Sequence, residues 1–137
     1  MNGPTYFEIQ AEDLARASHF YQEIFGWKFT KAPGEPTGLP IEYWRIETGT
    51  TVGMASNGMR GGLLKRPTQT PPPQYGTNAY VCSFQVEDFD KIAEQIVRQG
   101  GKIALAKFAV PATCWQGYFI DTEGNTFGLY QPDPEAR

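Results

Sequence analysis

Histidine occurs once in the 137 residues, at His19, and cysteine twice, at Cys82 and Cys114. Two cysteines cannot build a disulfide framework, so a reducing compartment, the cytoplasm, is expected. One histidine without acidic residues at ligand spacing is a poor basis for a zinc, nickel or iron centre. No metal and no other cofactor is therefore expected. No apolar run is long enough to span a bilayer, and Met1-Asn2-Gly3-Pro4 lacks signal-peptide character, so a membrane partner is excluded. Basic residues are few and scattered, only Lys65-Arg66 being adjacent, and the net charge is −3. That balance argues against nucleic acid as a partner. A phosphate loop is also missing, since Gly58-Met59-Arg60-Gly61-Gly62 has no following Lys-Ser/Thr and no preceding strand.

What the chain has in quantity is turn-formers and apolar residues. Fifteen glycines and eleven prolines suit a β-rich chain with many tight turns, and 40% hydrophobic against 20% charged residues describes a globular protein. It also has a repeat. Gln10-Ala11-Glu12-Asp13 returns as Gln85-Val86-Glu87-Asp88, an offset of 75 residues (85 − 10), and Gly26 meets Gly101 at the same offset. A strand-like run precedes each copy, at residues 6–10 and 81–85. A helix-like run follows each, at residues 14–25 and 89–99. Asp13 and Asp88 are good N-caps, and a glycine follows each helical pattern where a left-handed cap belongs. Leu14, Ala17, Ser18, Tyr21, Ile24 and Phe25 share one helical face, as do Phe89, Ile92, Ala93, Ile96 and Val97.

Further strands are expected at residues 27–31, 41–48 and 62–66, with a possible short one at 50–55 and a loop at 33–40. In the second half the strands are expected at 77–85, 102–108, 113–120 and 125–130. Asp121-Thr122-Glu123-Gly124-Asn125 reads as the last turn, and Pro132 and Pro134 are expected to end the ordered chain. Pro71-Pro72-Pro73 cannot enter a central ladder and marks a linker. The division is residues 1–66 as one module, 67–76 as a proline-rich linker and 77–137 as a second module, together one domain. Each module reads strand, helix, then three strands: an α+β fold of two βαβββ units whose rolled sheets enclose a cleft.

The doubled unit, with three motifs, resembles the vicinal oxygen chelate superfamily of glyoxalases, bleomycin-resistance proteins, fosfomycin-modifying enzymes and extradiol dioxygenases. Phe20-Tyr21 followed by Phe25-Gly26-Trp27 is similar to the family's first-helix motif. The Asp121 to Asn125 turn is similar to its Asp-Pro-Glu-Gly-Asn turn. Gly61-Gly62-Leu63 resembles the start of the fourth strand in the glyoxalase-like subgroup. The resemblance implies a cleft site, a homodimer and usually a divalent metal held by the first and last strands of each module. Carried onto this sequence, the ligand positions are Tyr6 and Val81 on the first strands, Gly128 on the last strand, and Gly62 (or Gly53) in the first module. None offers the imidazole or carboxylate that the family uses.

Alternation along the first strand puts Phe7 and Ile9 under the helix and leaves Tyr6, Glu8 and Gln10 facing the cleft. A carboxylate in a half-closed apolar cleft is suited to general acid or base work, so Glu8 is the candidate catalytic residue. The second module contributes Ser83, beside Val81 and Gln85, while Cys82 and Phe84 should point to the helix side. Trp44, Trp115, Tyr118 and Tyr130 complete the candidate ligand-binding set with Tyr6 and Gln10, because small-molecule pockets are mostly apolar with few polar groups. Tyr43 belongs to the same aromatic run. Asp13, Asp88 and Glu123 read as cap and turn residues, and His19 as a surface residue.

Two main functions fit these residues. One is a metal-free small-molecule-binding protein of the bleomycin-resistance kind. The other is a lyase or isomerase in which Glu8 moves a proton or holds an atypical metal. A third is an interaction module with a relict cleft.

Overall fold

Asp13 and Asp88 lie in extended backbone, and each accepts a hydrogen bond at 3.0 Å from the amide three residues on, of Arg16 and of Lys91. A side-chain oxygen placed there satisfies an amide that the first helical turn leaves without a partner. These caps start α1 (Leu14–Phe25) and α2 (Phe89–Arg98), whose first residues are 75 apart (89 − 14). At the far ends the left-handed glycine is displaced by one residue from that register. Gly26 closes α1 with φ 69° and donates its N–H to Gln22 O at 2.9 Å. In the second copy the left-handed residue is Gly100, at φ 96°, not Gly101 as the repeat register predicts. Gly101 instead donates to Ile96 O at 2.8 Å, and a β-carbon on it would come within 2.6 Å of Ile96 Cγ2. The helix is shorter here, so the turn-making and close-packing roles fall on two glycines.

The computed structural model describes residues 6–31, 42–49, 58–66 and 80–137. Contacts divide the chain into two compact units, Met1–Thr70 and Pro71–Arg137. The first unit is a four-stranded sheet of β1 (Tyr6–Ala11), β4 (Arg60–Lys65), β3 (Tyr43–Glu47) and β2 (Lys28–Lys31), in that order. The second repeats it as β5 (Ser83–Gln85), β8 (Thr126–Pro132), β7 (Cys114–Ile120) and β6 (Lys102–Val110). In both, the first strand runs parallel to the last and the other pairs are antiparallel. The fold is α+β, a βαβββ unit used twice. The loop expected at 33–40, the strand at 50–55 and the linker at 67–76 lie outside the described residues.

Each helix covers one face of its own unit. In the first, Leu14, Ala17, Phe20, Tyr21 and Ile24 are buried, as are Ile46 and Leu63 of the sheet. Trp27 is not the first residue of β2 but part of this core. Its ring stacks on Tyr21 at 5.1 Å and on Phe25 at 5.1 Å, and meets Phe7 at 5.7 Å. In the second unit, Phe89 and Ile96 of α2 are buried with Phe119, Phe127 and Leu129. Phe119 lies 6.0 Å from Phe89 and 5.9 Å from Phe127. Burying each such side chain contributes roughly 1.5–3 kcal/mol. Val97, expected on the apolar face, is 51% exposed.

Two boundaries move further. Of the strand expected over 77–85, residues 77–79 lie outside the described residues and 80–82 are not strand; β5 begins at Ser83, so alternation does not reach Cys82, which is exposed rather than buried. At the other end the ordered chain does not stop at Pro132. Asp133 accepts from Trp115 Nε1 at 2.9 Å and from Glu135 N at 2.8 Å, and Ala136 is buried. The last turn behaves as expected: Asp121 Oδ1 accepts from the amides of Glu123 and Asn125, both at 2.8 Å, and Gly124 takes φ 80°.

Candidate functional site

Register decides which side chains can meet. In the first sheet Glu8 pairs with Gly62, and Gly62 with Arg45 on the next strand. Tyr6 pairs with Arg60, and Gln10 with Leu64 and through it Tyr43. In-register neighbours point to the same side of a sheet. Tyr6, Glu8, Gln10, Tyr43, Arg45 and Arg60 therefore share the face opposite Phe7, Ile9, Leu63 and Ile46, which is the open face away from α1.

The consecutive glycines of β4 shape both faces. A β-carbon on Gly61 would meet the ring of Phe7 on the helix side at 2.5 Å. A β-carbon on Gly62 would collide with the ring and hydroxyl of Tyr43 on the open side. Each missing side chain thus admits an aromatic ring lying flat across the strand. From its place over Gly62, the Tyr43 phenol is hydrogen-bonded both to the Tyr6 phenol and to the Glu8 carboxylate. Burial under the neighbouring side chains is the main cause that pushes the Tyr43 hydroxyl well above its ordinary range, and the bonds to Tyr6 and Glu8 push it the same way. It stays a neutral phenol. Glu8 is exposed, and Tyr6 is 47% exposed, so both ends of this three-residue chain are open to a ligand.

The second sheet has the corresponding arrangement with different chemistry. Ser83 stands where Glu8 stands, opposite Gly128, and Gly128 pairs onward with Tyr118. A β-carbon on Gly128 would press on Ser83 Oγ, on Gln116 Nε2 at 3.0 Å and on Tyr118 Cε1 at 3.2 Å. Gln116 Nε2 donates to Ser83 Oγ at 3.4 Å, and Tyr130 OH donates to Gln85 Oε1 at 3.2 Å. Tyr118 lies 6.4 Å from the Phe108 ring.

Two expected ligand residues fall elsewhere. Trp44 follows Tyr43 and pairs with Leu63, so it belongs to the helix face, where its Nε1 donates to Glu42 at 3.1 Å. Trp115 has the parity of Gly117 and Phe119, on the α2 side. Its ring lies under Lys107 Nζ at 4.7 Å, its Nε1 is bound to Asp133, and Lys107 also pairs with Asp90 at 3.0 Å. Aromatic content could not separate these tryptophans from the tyrosines, whereas strand parity does. Tyr6, Glu8 and Gln10 share the open face of the first unit, and Ser83, Tyr118 and Tyr130 that of the second. Tyr43, expected only as part of the aromatic run, proves central to the first face, and the signal that singles it out is the glycine pair, which leaves a ring-sized gap. Of the other singled-out residues, His19 is exposed on α1, and Cys114 is buried at the start of β7.

The positions to which the resemblance assigns a metal can be set against this geometry. Because β1 pairs with β4 as β5 pairs with β8, Gly62 is the counterpart of Gly128. The space beside Gly62 is filled by a tyrosine ring, and that beside Gly128 by a serine, a glutamine and a tyrosine. The Tyr6 hydroxyl is engaged with Tyr43. Among the described residues, no three His, Cys, Asp or Glu side chains are grouped to hold an ion. Tyr6, Gly62, Val81 and Gly128 offer neither an imidazole nor a carboxylate at these positions.

The chain matches the Glyoxalase/Bleomycin resistance protein/Dioxygenase superfamily over residues 3–129. It is 32% identical over 127 residues to a glyoxylase-like domain-containing protein from Didymella fabae, covering 89% of this chain and 88% of that one. It is 22% identical to the anthracycline biosynthesis protein DnrV of Streptomyces peucetius, over 93% of this chain but 46% of that protein, so it spans about half that relative's length. Among solved structures, the fosfomycin resistance protein FosX from Listeria monocytogenes, in complex with Mn(II) and dihydroxypropylphosphonic acid, matches with a TM-score of 0.71 at 15% identity. That match covers 97% of this chain and 94% of that one. A glyoxalase family protein from Bacillus cereus matches with a TM-score of 0.71 at 22% identity, over 94% and 93% of the two chains.

Proposed function

Because the chain belongs to the glyoxalase/bleomycin resistance protein/dioxygenase superfamily, yet has Tyr6, Val81, Gly62 and Gly128 at that family's metal positions, we propose that it binds a small organic ligand without the metal. The observation that carries this reading is the Tyr43 ring over Gly62. A carboxylate there would have to displace a half-buried ring whose hydroxyl is hydrogen-bonded on both sides. The ligand contacts we assign are Tyr6, Glu8, Gln10 and Tyr43 on the open face of the first unit, with Ser83, Tyr118 and Tyr130 as a separate candidate set on that of the second. Pockets of this kind join aromatic area to a few polar groups that fix orientation. In this reading the protein works in the cytoplasm as a homodimer. Among the described residues no helix is long and apolar enough to cross a membrane.

The test is elemental analysis of protein purified without chelator, followed by a thermal-shift screen of small organic compounds with and without added Mn(II), Zn(II) or Ni(II). Metal well below one equivalent, with ligand-induced stabilisation that needs no added ion, is expected. Near one equivalent, lost on Glu8→Gln, would overturn the reading.

A second reading is favoured by one observation: Glu8 is exposed and held by a phenol. A carboxylate so oriented could take a proton next to a carbonyl, giving a lyase or isomerase. It requires a turnover that Glu8→Gln abolishes while ligand binding persists.

A further inference from the structure

The Tyr6–Tyr43–Glu8 chain has few protons to share. An ionised carboxylate only accepts, and a phenol has a single proton. Tyr43 is bonded to both neighbours, so its proton goes to Glu8 and its oxygen must accept from Tyr6. The Tyr6 proton is then spent on Tyr43. What this cluster presents to solvent is lone pairs: those of Tyr6 Oη and the remaining ones of the Glu8 carboxylate.

We infer that this cluster selects ligands that present a hydrogen-bond donor to it, a hydroxyl or an N–H group, over isosteres that can only accept. The inference rests on the ligand-binding reading above and narrows it to a chemical class. An acceptor-only group brought against Tyr6 and Glu8 would face lone pairs and lose its own hydration without replacement, the situation in which a polar contact discriminates most. Four other charged groups share the face, Glu47 of β3 and its partner Lys28 of β2 lying farthest from Glu8. Arg60 stands beside Tyr6, and Arg45 lies beyond Gly62 from Glu8. Among the described residues neither has an ion pair to Glu8. They could draw an acceptor to the face by another route, so the experiment must separate that outcome.

Phenol and anisole serve as probes, being alike in shape but differing in the donor. Each is titrated into the full-length chain, and shifts are read at the Tyr6 and Tyr43 ring signals and the Glu8 amide. Phenol should bind about tenfold or more tightly than anisole at these signals. The Glu8→Gln amide can donate as well as accept, which frees Tyr43 and Tyr6 to turn around, so the preference should shrink to about twofold or less. Tyr43→Phe frees the Tyr6 proton but leaves the Glu8 carboxylate an acceptor, so it should reduce the preference only in part, to about threefold to fivefold, and stands as a check if Glu8→Gln folds poorly. Equal binding of the two probes to the unmodified protein at these signals would overturn the donor rule and leave the binding reading intact. A preference that persists undiminished in both variants would also overturn it, assigning the discrimination to groups outside the cluster. If neither probe moves these signals, the face is not the ligand site, and the binding reading falls with the inference.

Discussion

The ring of Tyr43 lies in the space that a β-carbon on Gly62 would need, and from there its hydroxyl joins Tyr6 to Glu8. Glycine at 62 is thus a condition for the polar cluster and not only a tolerated strand residue. Gly62→Ala should force the ring out or shift the strand, costing about 1–3 kcal/mol, the usual range for overpacking. Tyr43→Phe keeps the ring and loses only the hydroxyl, and should cost about 1 kcal/mol or less. Urea unfolding of the two variants provides the check. Equal and negligible losses would mean that the ring has room to spare.

Alkaline pH should weaken the folded state through the same residue. The folded protein holds the Tyr43 proton to a higher pH than the ordinary 10.0, first because of burial and then through Tyr6 and Glu8. Above about pH 10 the unfolded chain releases this proton while the folded chain keeps it. The unfolded state then binds fewer protons, and stability falls as pH rises. The contribution is complete below that pH and is lost above it. The urea midpoint of the unmodified protein should therefore drop more steeply between about pH 9 and 11.5 than that of Tyr43→Phe. Parallel curves would show that Tyr43 titrates normally.

The repeat, the caps and the alternation of β1 made the architecture and the open-face position of Glu8 legible in the sequence. Phe7 and Ile9 leave β1 only one register that keeps Glu8 out of the core. Trp44 and Trp115 were not legible. Both are aromatic residues on strands, and only the pairing of Trp44 with Leu63 and of Trp115 with Gln131 shows their side. Composition suggests a binding aromatic; parity assigns a packing one. The bridging role of Tyr43 was not legible because it depends on an absent side chain at a position 19 residues on (62 − 43), a contact that no local pattern encodes. Cys82 failed for a simpler reason, since β5 starts one residue later.

Self-association is expected, through the edge of the second sheet. β6 is the last strand in its order, and Leu105, Phe108 and Val110 share the face of Tyr118 with exposures of 53%, 37% and 37%. An uncovered edge strand with apolar side chains tends to find a partner. We propose a homodimer, visible by sedimentation at micromolar concentration, and expect Leu105→Lys to shift it toward monomer. A purely monomeric unmodified protein would remove the argument.

The β6–β7 connection offers a stabilising change. Thr113 N donates to Val110 O at 3.0 Å, closing a four-residue turn with Pro111 second and Ala112 third. Ala112 has φ 58°, the one non-glycine residue with positive φ among those described. This is the third position of a type II turn, which favours glycine or asparagine because a β-carbon there crowds the backbone. Alanine in that conformation costs about 1–2 kcal/mol, while glycine costs the unfolded chain up to about 1 kcal/mol of extra entropy. The balance favours Ala112→Gly by up to about 1 kcal/mol. Ala112→Val should lose stability, since a branched β-carbon tolerates positive φ least. The Ala112 amide donates to Ala136 O at 2.9 Å, so the turn also holds the C-terminal tail against the hairpin. Thermal unfolding of the two variants should move in opposite directions. A glycine variant less stable than the original would mean that the tail contact, and not the backbone angle, governs this turn.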